Sequence, residues 1–135
     1  MKLEKIKYKD LNSRAKETYN FQKVSALLVE YGFATNWLNV DFESADFIAV
    51  HFNGLDILKV QLKGRVNIDK KYQEKDIWMS FPVDDDFYLV PHDELIEIAK
   101  RTTGWIESDS WKIHGGYSAG KPSVKMLKAL QNYKL

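Results

Sequence analysis

The chain contains no cysteine, which excludes a disulfide scaffold and any thiolate metal site and fits a reducing compartment. It has almost no net charge: 20 Lys and Arg against 19 Asp and Glu leave +1. No global field therefore draws it to nucleic acid, and such a partner has to be held by a local basic patch. No apolar run approaches the length that spans a bilayer, and Met1-Lys2-Leu3-Glu4-Lys5 lacks the apolar segment of a signal peptide. A cytoplasmic protein with no membrane partner is expected. Histidine is scarce, and His51 and His114 stand far apart without ligand spacing, so a zinc site is unsupported. There is no G-x-x-x-x-G-K-S/T, no G-x-G-x-x-G and no G-x-S-x-G, which argues against nucleotide-driven and serine chemistry.

What is present suits one folded domain of 135 residues, with 44% hydrophobic and 29% charged residues. From Leu11 to Gly32 the apolar residues Phe21, Val24, Leu28 and Tyr31 recur at three- and four-residue spacing, the period of a helix. Asn12 or Ser13 can cap its start, and Gly32 can take the left-handed conformation that ends it. Continuing the stripe back by four reaches Glu17, an acid that must either meet solvent in a cleft or find a cation. Strands are expected over Ala34 to Val40, Ala45 to Phe52, Leu55 to Lys63, Ile77 to Phe81 and Phe87 to Val90, with turns at Asp41-Phe42-Glu43 and Asp84-Asp85-Asp86. The central strands are apolar on both faces, as in a covered sheet. Pro91 opens a helix to about Arg101 with Leu95, Ile98 and Ala99 inward, and Pro122 opens a last one to about Tyr133. Residues Asn67 to Asp76 and His114-Gly115-Gly116-Tyr117 read as loops, the first with room for a short helix. His92-Asp93 reads as a helix start with a cap or surface imidazole.

The most informative stretch is the pair of strands joined through Asn53-Gly54. Asn-Gly between hydrophobic runs is the strongest local sign of a two-residue type I′ hairpin, since both residues tolerate positive φ. If Phe52 faces Leu55, then Val50 faces Ile57, Ile48 faces Lys59 and Asp46 faces Gln61. Opposed residues share a face, as do residues two apart, so Asp46, Gln61 and Lys63 converge at one end of the hairpin. A hydrogen-bonded surface pair with a flanking ion pair of little worth would use the same residues.

An acid on one strand facing an acid-x-lysine on the next resembles the catalytic hairpin of the restriction-endonuclease-like, PD-(D/E)XK, superfamily. Asp46 matches the first acid, Gln61 the second and Lys63 the lysine, with Ala45 in place of the proline and an amide in place of a carboxylate. The helix, hairpin, third strand and further helix follow that superfamily's order. From Leu11-Asn12-Ser13-Arg14 through Pro91-His92-Asp93-Glu94-Leu95 the chain is similar to an uncharacterised bacterial family with this core. The resemblance implies an α/β fold, a single domain with a mixed central sheet flanked by helices, and Glu17 as a helix acid that joins the metal site.

Phosphodiester hydrolysis needs charge stabilisation at the phosphate and an activated water, and a divalent ion supplies both. Asp46 is the expected anchor for Mg²⁺ or Mn²⁺, beside the Gln61 amide oxygen, the Leu62 carbonyl and Glu17, with Lys63 holding the attacking water or the developing charge. An amide at position 61 removes one negative charge, so the ion should bind weakly. Arg65, Lys70, Lys71 and Lys75 are placed to follow a phosphate backbone past the site, and Tyr72 and Trp78 either stack on bases or simply pack. The expected partner is DNA, and a homodimer would let two copies cut both strands. The alternative is a catalytically weak or inactive nuclease-fold module that binds nucleic acid or a protein.

Overall fold

The Asn12 side chain accepts a hydrogen bond from the Ala15 amide at 2.8 Å, satisfying one of the orphan donors at the start of α1 (Ser13–Val29). Gly32, at φ +85°, turns the chain out of that helix. In the computed structural model, which describes residues 1–135, seven strands and three further helices follow. They are β1 (Phe33–Phe42), β2 (Ala45–His51), β3 (Ile57–Leu62), β4 (Val66–Asp69), β5 (Ile77–Val83), β6 (Asp86–Pro91), α2 (His92–Thr102), α3 (Asp109–His114), β7 (Gly116–Ala119) and α4 (Val124–Ala129). The main sheet has the order β1-β2-β3-β5-β6, antiparallel except where β3 runs parallel to β5. This mixed α/β sheet with helices on it is compatible with a nuclease-like core. The parallel crossover from β3 to β5 carries β4 and a 3-10 turn, not an α-helix. No helix is long and apolar enough to cross a membrane.

The alternation of β2 and β3 puts Phe47, Ala49, Val60 and Leu62 on one face, where Val24 and Leu28 of α1 close over them with Phe87 and Leu89 of β6. The opposite face of β5 and β6 packs Met79, Phe81 and Val90 against Leu95, Ile98 and Ala99 of α2, with Trp105, Trp111 and Met126 beyond. That second cover reaches β1 and β2 only at Leu38 and Ala45: Ile48 and Val50 are half-buried and Ile57 is 56% exposed. The expectation that the hairpin strands β2 and β3 are covered on both faces is therefore not met; β5 and β6 are the strands covered on both.

The hairpin register is the one the sequence predicts, with Val50 opposite Ile57 and Ile48 opposite Lys59, but the turn is different. Asn53 does not have positive φ; only Gly54 does, at +74°. His51 pairs with Asp56 (N–H to carbonyl, 2.8 Å), and a four-residue loop, Phe52 to Leu55, spans them. The Asn53 side chain organises it, accepting from the Leu55 and Asp56 amides and donating to the Asp56 carboxylate. Pairing one step further back on both strands leaves the register unchanged, so the longer loop costs the site nothing. Positive φ at both central positions occurs instead at Glu43 (+51°) and Ser44 (+71°) between β1 and β2, so β1 runs on through Asp41 and Phe42. A salt bridge of 2.7 Å from Lys59 holds Glu43 there.

Parts of two regions read as loops are strands, while the short helix allowed within Asn67 to Asp76 is present as the 3-10 turn Lys70–Tyr72. Val66 and Ile68 of β4 are fully buried and pair with β7, which takes in Gly116 and Tyr117 of the Gly-rich stretch. Lys112 and His114 lie in α3. The final helix is shorter than expected and ends in a 3-10 turn at Gln131–Tyr133.

Gly32 also makes a close approach, since a Cβ there would sit 2.6 Å from the His51 imidazole. Gly32→Ala would add left-handed strain to that clash, and should destabilise the fold by about 1–3 kcal/mol, read as a lower urea midpoint at unchanged slope.

Candidate active site

At the end of β3 the backbone changes partners. The Lys63 amide donates to the Ser80 carbonyl of β5 at 2.8 Å, so one residue earlier the Leu62 amide faces β2. It finds no carbonyl there. The Asp46 carboxylate takes its place, accepting the Leu62 N–H at 2.8 Å. Because the N–H and C=O of one strand residue project to the same side, the Leu62 carbonyl is presented toward Asp46 as well. Gln61, half-buried, lies across from Asp46 when the register is continued by one pair. The hairpin thus ties Asp46 to the Leu62 backbone and leaves Gln61 at the neighbouring register position, while the cavity beside Leu62 and Lys63 is lined by neither Asp46 nor Gln61.

Helix α1 supplies the other wall. Glu17 in its second turn is exposed and lines a cavity of about 270 Å³ with Leu62, Lys63, Lys16 and Gly64. Burial pushes the Asp46 carboxyl above its ordinary range, and the negative charge of Glu17 pushes the same way. The Leu62 hydrogen bond and the nearby Lys63 ammonium pull it down without cancelling the rise. A half-buried carboxylate facing an exposed one beside a lysine is a setting whose repulsion a cation would relieve.

The donors are all hard oxygens: two carboxylates, an amide and a backbone carbonyl. These suit Mg²⁺ or Mn²⁺, which retain water and do not require a full protein cage. No three His, Cys, Asp or Glu side chains gather anywhere at the spacing of a metal cluster. Any ion here would depend on two acids and neutral oxygens.

Of the cations expected to follow a backbone, Lys71 is the one that shares an aromatic neighbour, Tyr72, with Lys63. Their ammonium groups lie 5.1 and 5.7 Å from the Tyr72 ring centroid. Tyr72 is 3% exposed and packs edge-on against His92, so it serves the core and not a base stack. Trp78 is half-buried and packs under α1. Lys70 turns away, its ammonium 5.4 Å from the Trp111 ring. Lys75 is exposed, and its carbonyl accepts from Lys59. Arg65 reaches the Ser118 carbonyl at 3.4 Å.

Tyr8, Lys16 and Asn20 also line the cavity and were not singled out from sequence. Lys16 and Asn20 stand four apart on α1, a spacing that by itself reads as a solvated helix face. His92 corrects another expectation: it is 1% exposed, not a surface imidazole.

No protein-family model matches the chain, and no curated protein does. Among solved structures it is similar to a bacterial homing endonuclease, at 15% sequence identity over 83% of this chain and 78% of that one, with a TM-score of 0.49.

Proposed function

We propose that the protein is a metal-dependent nuclease that hydrolyses phosphodiester bonds in DNA, and that Asp46, Glu17, Gln61, Leu62 and Lys63 form its active site. The observation that carries this reading is the Asp46 carboxylate. It is half-buried at the end of a hairpin, bonded to the Leu62 amide, opposed by Glu17 and attended by Lys63. Asp46 and Glu17, with the Gln61 amide oxygen and the Leu62 carbonyl, would hold Mg²⁺ or Mn²⁺. When bound, such an ion polarises the phosphate and lowers the pKa of its water. Lys63 orients the attacking water or stabilises the charge that develops on the phosphate, and the Tyr72 ring beneath it limits where its ammonium can go. Lys71 and Arg65 are proposed to meet the flanking phosphates, from which Lys70 is turned away over Trp111, and two copies would be needed to cut both strands.

The test is nicking of supercoiled plasmid in Mn²⁺. Wild-type protein should convert it to the open circle, and Lys63→Ala should slow conversion at least about 100-fold while leaving DNA affinity within a few-fold. Tight DNA binding with no cleavage by either protein would favour the alternative, a binding module that has lost catalysis with the carboxylate at position 61. Neither binding nor cleavage would point to a protein partner.

A further inference from the structure

A second cavity, of about 660 Å³, abuts the one beside Lys63 and shares Tyr8, Asn20 and Gly64 with it. A Cβ at Gly64 would meet nothing within 4 Å, so the saddle between the two is open. The walls of the second cavity differ from those of the first. One is aromatic: the Tyr8 and Tyr19 rings meet at 5.2 Å and 57°. A buried amide fixes it, since Asn20, only 3% exposed, donates to the Tyr8 hydroxyl at 3.0 Å. Cations rim that wall, with the Lys16 ammonium 5.4 Å from the Tyr8 ring and that of Lys23 5.4 Å from Tyr19. The arm leading to Tyr8 is exposed and carries Lys2, Lys5 and Lys7 against the single acid Glu4. The opposite wall bears Asp84 and Asp85, exposed acceptors on the turn between β5 and β6.

Each wall matches a different part of one ligand. Ammonium groups suit phosphates, tyrosine faces suit the π-face of a base, and carboxylates accept from the N–H groups that every unpaired base presents on its edge. Acids at the far wall would repel a backbone, so they select for a base inserted edge-first. The volume lies within the range of small-ligand sites.

We infer that this cavity receives one unpaired nucleobase of a DNA strand whose neighbouring phosphate lies at Asp46 and Lys63. The preferred substrate is then DNA with an extrahelical or single-stranded nucleotide, not a fully paired duplex. The inference rests on the nucleic-acid reading of the adjacent site and names its substrate class. A base already outside the stack spares the enzyme the cost of unpairing it.

The experiment measures binding in EDTA, where metal-dependent cleavage cannot contribute. Fluorescence anisotropy compares a fully paired duplex with the same duplex carrying one bulged 2-aminopurine, whose emission is followed in parallel. The wild type should bind the bulged DNA about tenfold more tightly and quench the 2-aminopurine. Tyr19→Ala should lose the preference and the quench while keeping its affinity for the paired duplex. The exposed pair Asp84→Asn and Asp85→Asn, which the positive φ of Asp84 tolerates, should weaken bulge binding alone. Equal affinity for the two DNAs, or a preference that survives all three substitutions, would overturn the inference and leave the nuclease reading to the nicking assay. Absence of any DNA binding would sink both.

Discussion

Asp46→Asn is expected to make the protein more stable and to abolish its cleavage of DNA. The Asn oxygen can still accept the Leu62 N–H, so the end of the hairpin keeps its closure. What disappears is a half-buried charge that faces Glu17. The folded state raises the Asp46 pKa above its ordinary 3.8, chiefly by burial. Between the ordinary and the raised value the folded protein holds a proton that the unfolded chain releases. The stabilisation is complete below 3.8 and is lost as pH rises through the raised value, leaving the ionised acid a net cost at neutral pH. Removing the charge should raise the thermal midpoint at pH 7 by a few degrees, with no gain at pH 3, while plasmid nicking falls at least about 100-fold. A function retained against stability is what separates an active-site acid from a structural one. A variant less stable than wild type at pH 7 would mean that the carboxylate is held there for the fold.

His92→Ala should give the largest loss of stability in the molecule outside the main hydrophobic layers, about 2–4 kcal/mol in urea denaturation. The ring is buried and works at both nitrogens. Nε2 accepts the Asp69 amide at 3.1 Å, so the hydrogen resides on Nδ1, which donates to Asp93 at 3.2 Å. This ties the end of β4 to the first turn of α2, and the Tyr72 ring lies 5.5 Å away at 80°. Truncation leaves a buried N–H without a partner and a void beneath the tyrosine that carries Lys63 and Lys71. The same site predicts a pH dependence. Burial lowers the His92 pKa, against the hydrogen bond and charge of Asp93 and the charge of Asp69. Its stabilising contribution is therefore present above 6.5 and is lost as pH falls through the lowered value. Wild-type stability should decline below about pH 6.5 by an amount that His92→Gln, which cannot titrate, no longer shows. Parallel curves for the two proteins would contradict this.

How much of this was legible in the sequence depended on how local each signal was. The Asn12 cap, the Gly32 exit and the facing of β2 and β3 rest on residues a few positions apart, and all three are present. Even there, local chemistry named the wrong turn. Asn53-Gly54 carries the composition of a type I′ bend, yet the Asn53 side chain does more by bridging Leu55 and Asp56. The double positive-φ bend falls on Glu43-Ser44, where no propensity favours it and the Lys59 ion pair holds it. β4 and β7 were missed because each is four residues long and they pair across about fifty positions. A run of Val-Asn-Ile-Asp announces little until its partner is known. Missing β4 also hid the role of His92, whose acceptor function needs the Asp69 amide brought from that strand. At the site, the hairpin residues could be placed by counting along a register. Tyr8, Lys16 and Asn20 could not, because their position depends on how α1 seats across the end of β3, which no spacing in the chain encodes.

The central claim, that Asp46 and Glu17 flank a place for a divalent cation beside Lys63, is tested most directly by following the thermal midpoint during titration with Mn²⁺ at pH 7. A ligand that binds only the folded state stabilises it in proportion to the logarithm of one plus the ratio of its free concentration to its Kd. For the wild type a rise that grows with the logarithm of Mn²⁺ concentration is expected, reduced in Glu17→Gln and absent in Asp46→Asn. A wild-type midpoint that does not move at millimolar Mn²⁺, or one that moves equally in Asp46→Asn, would contradict it.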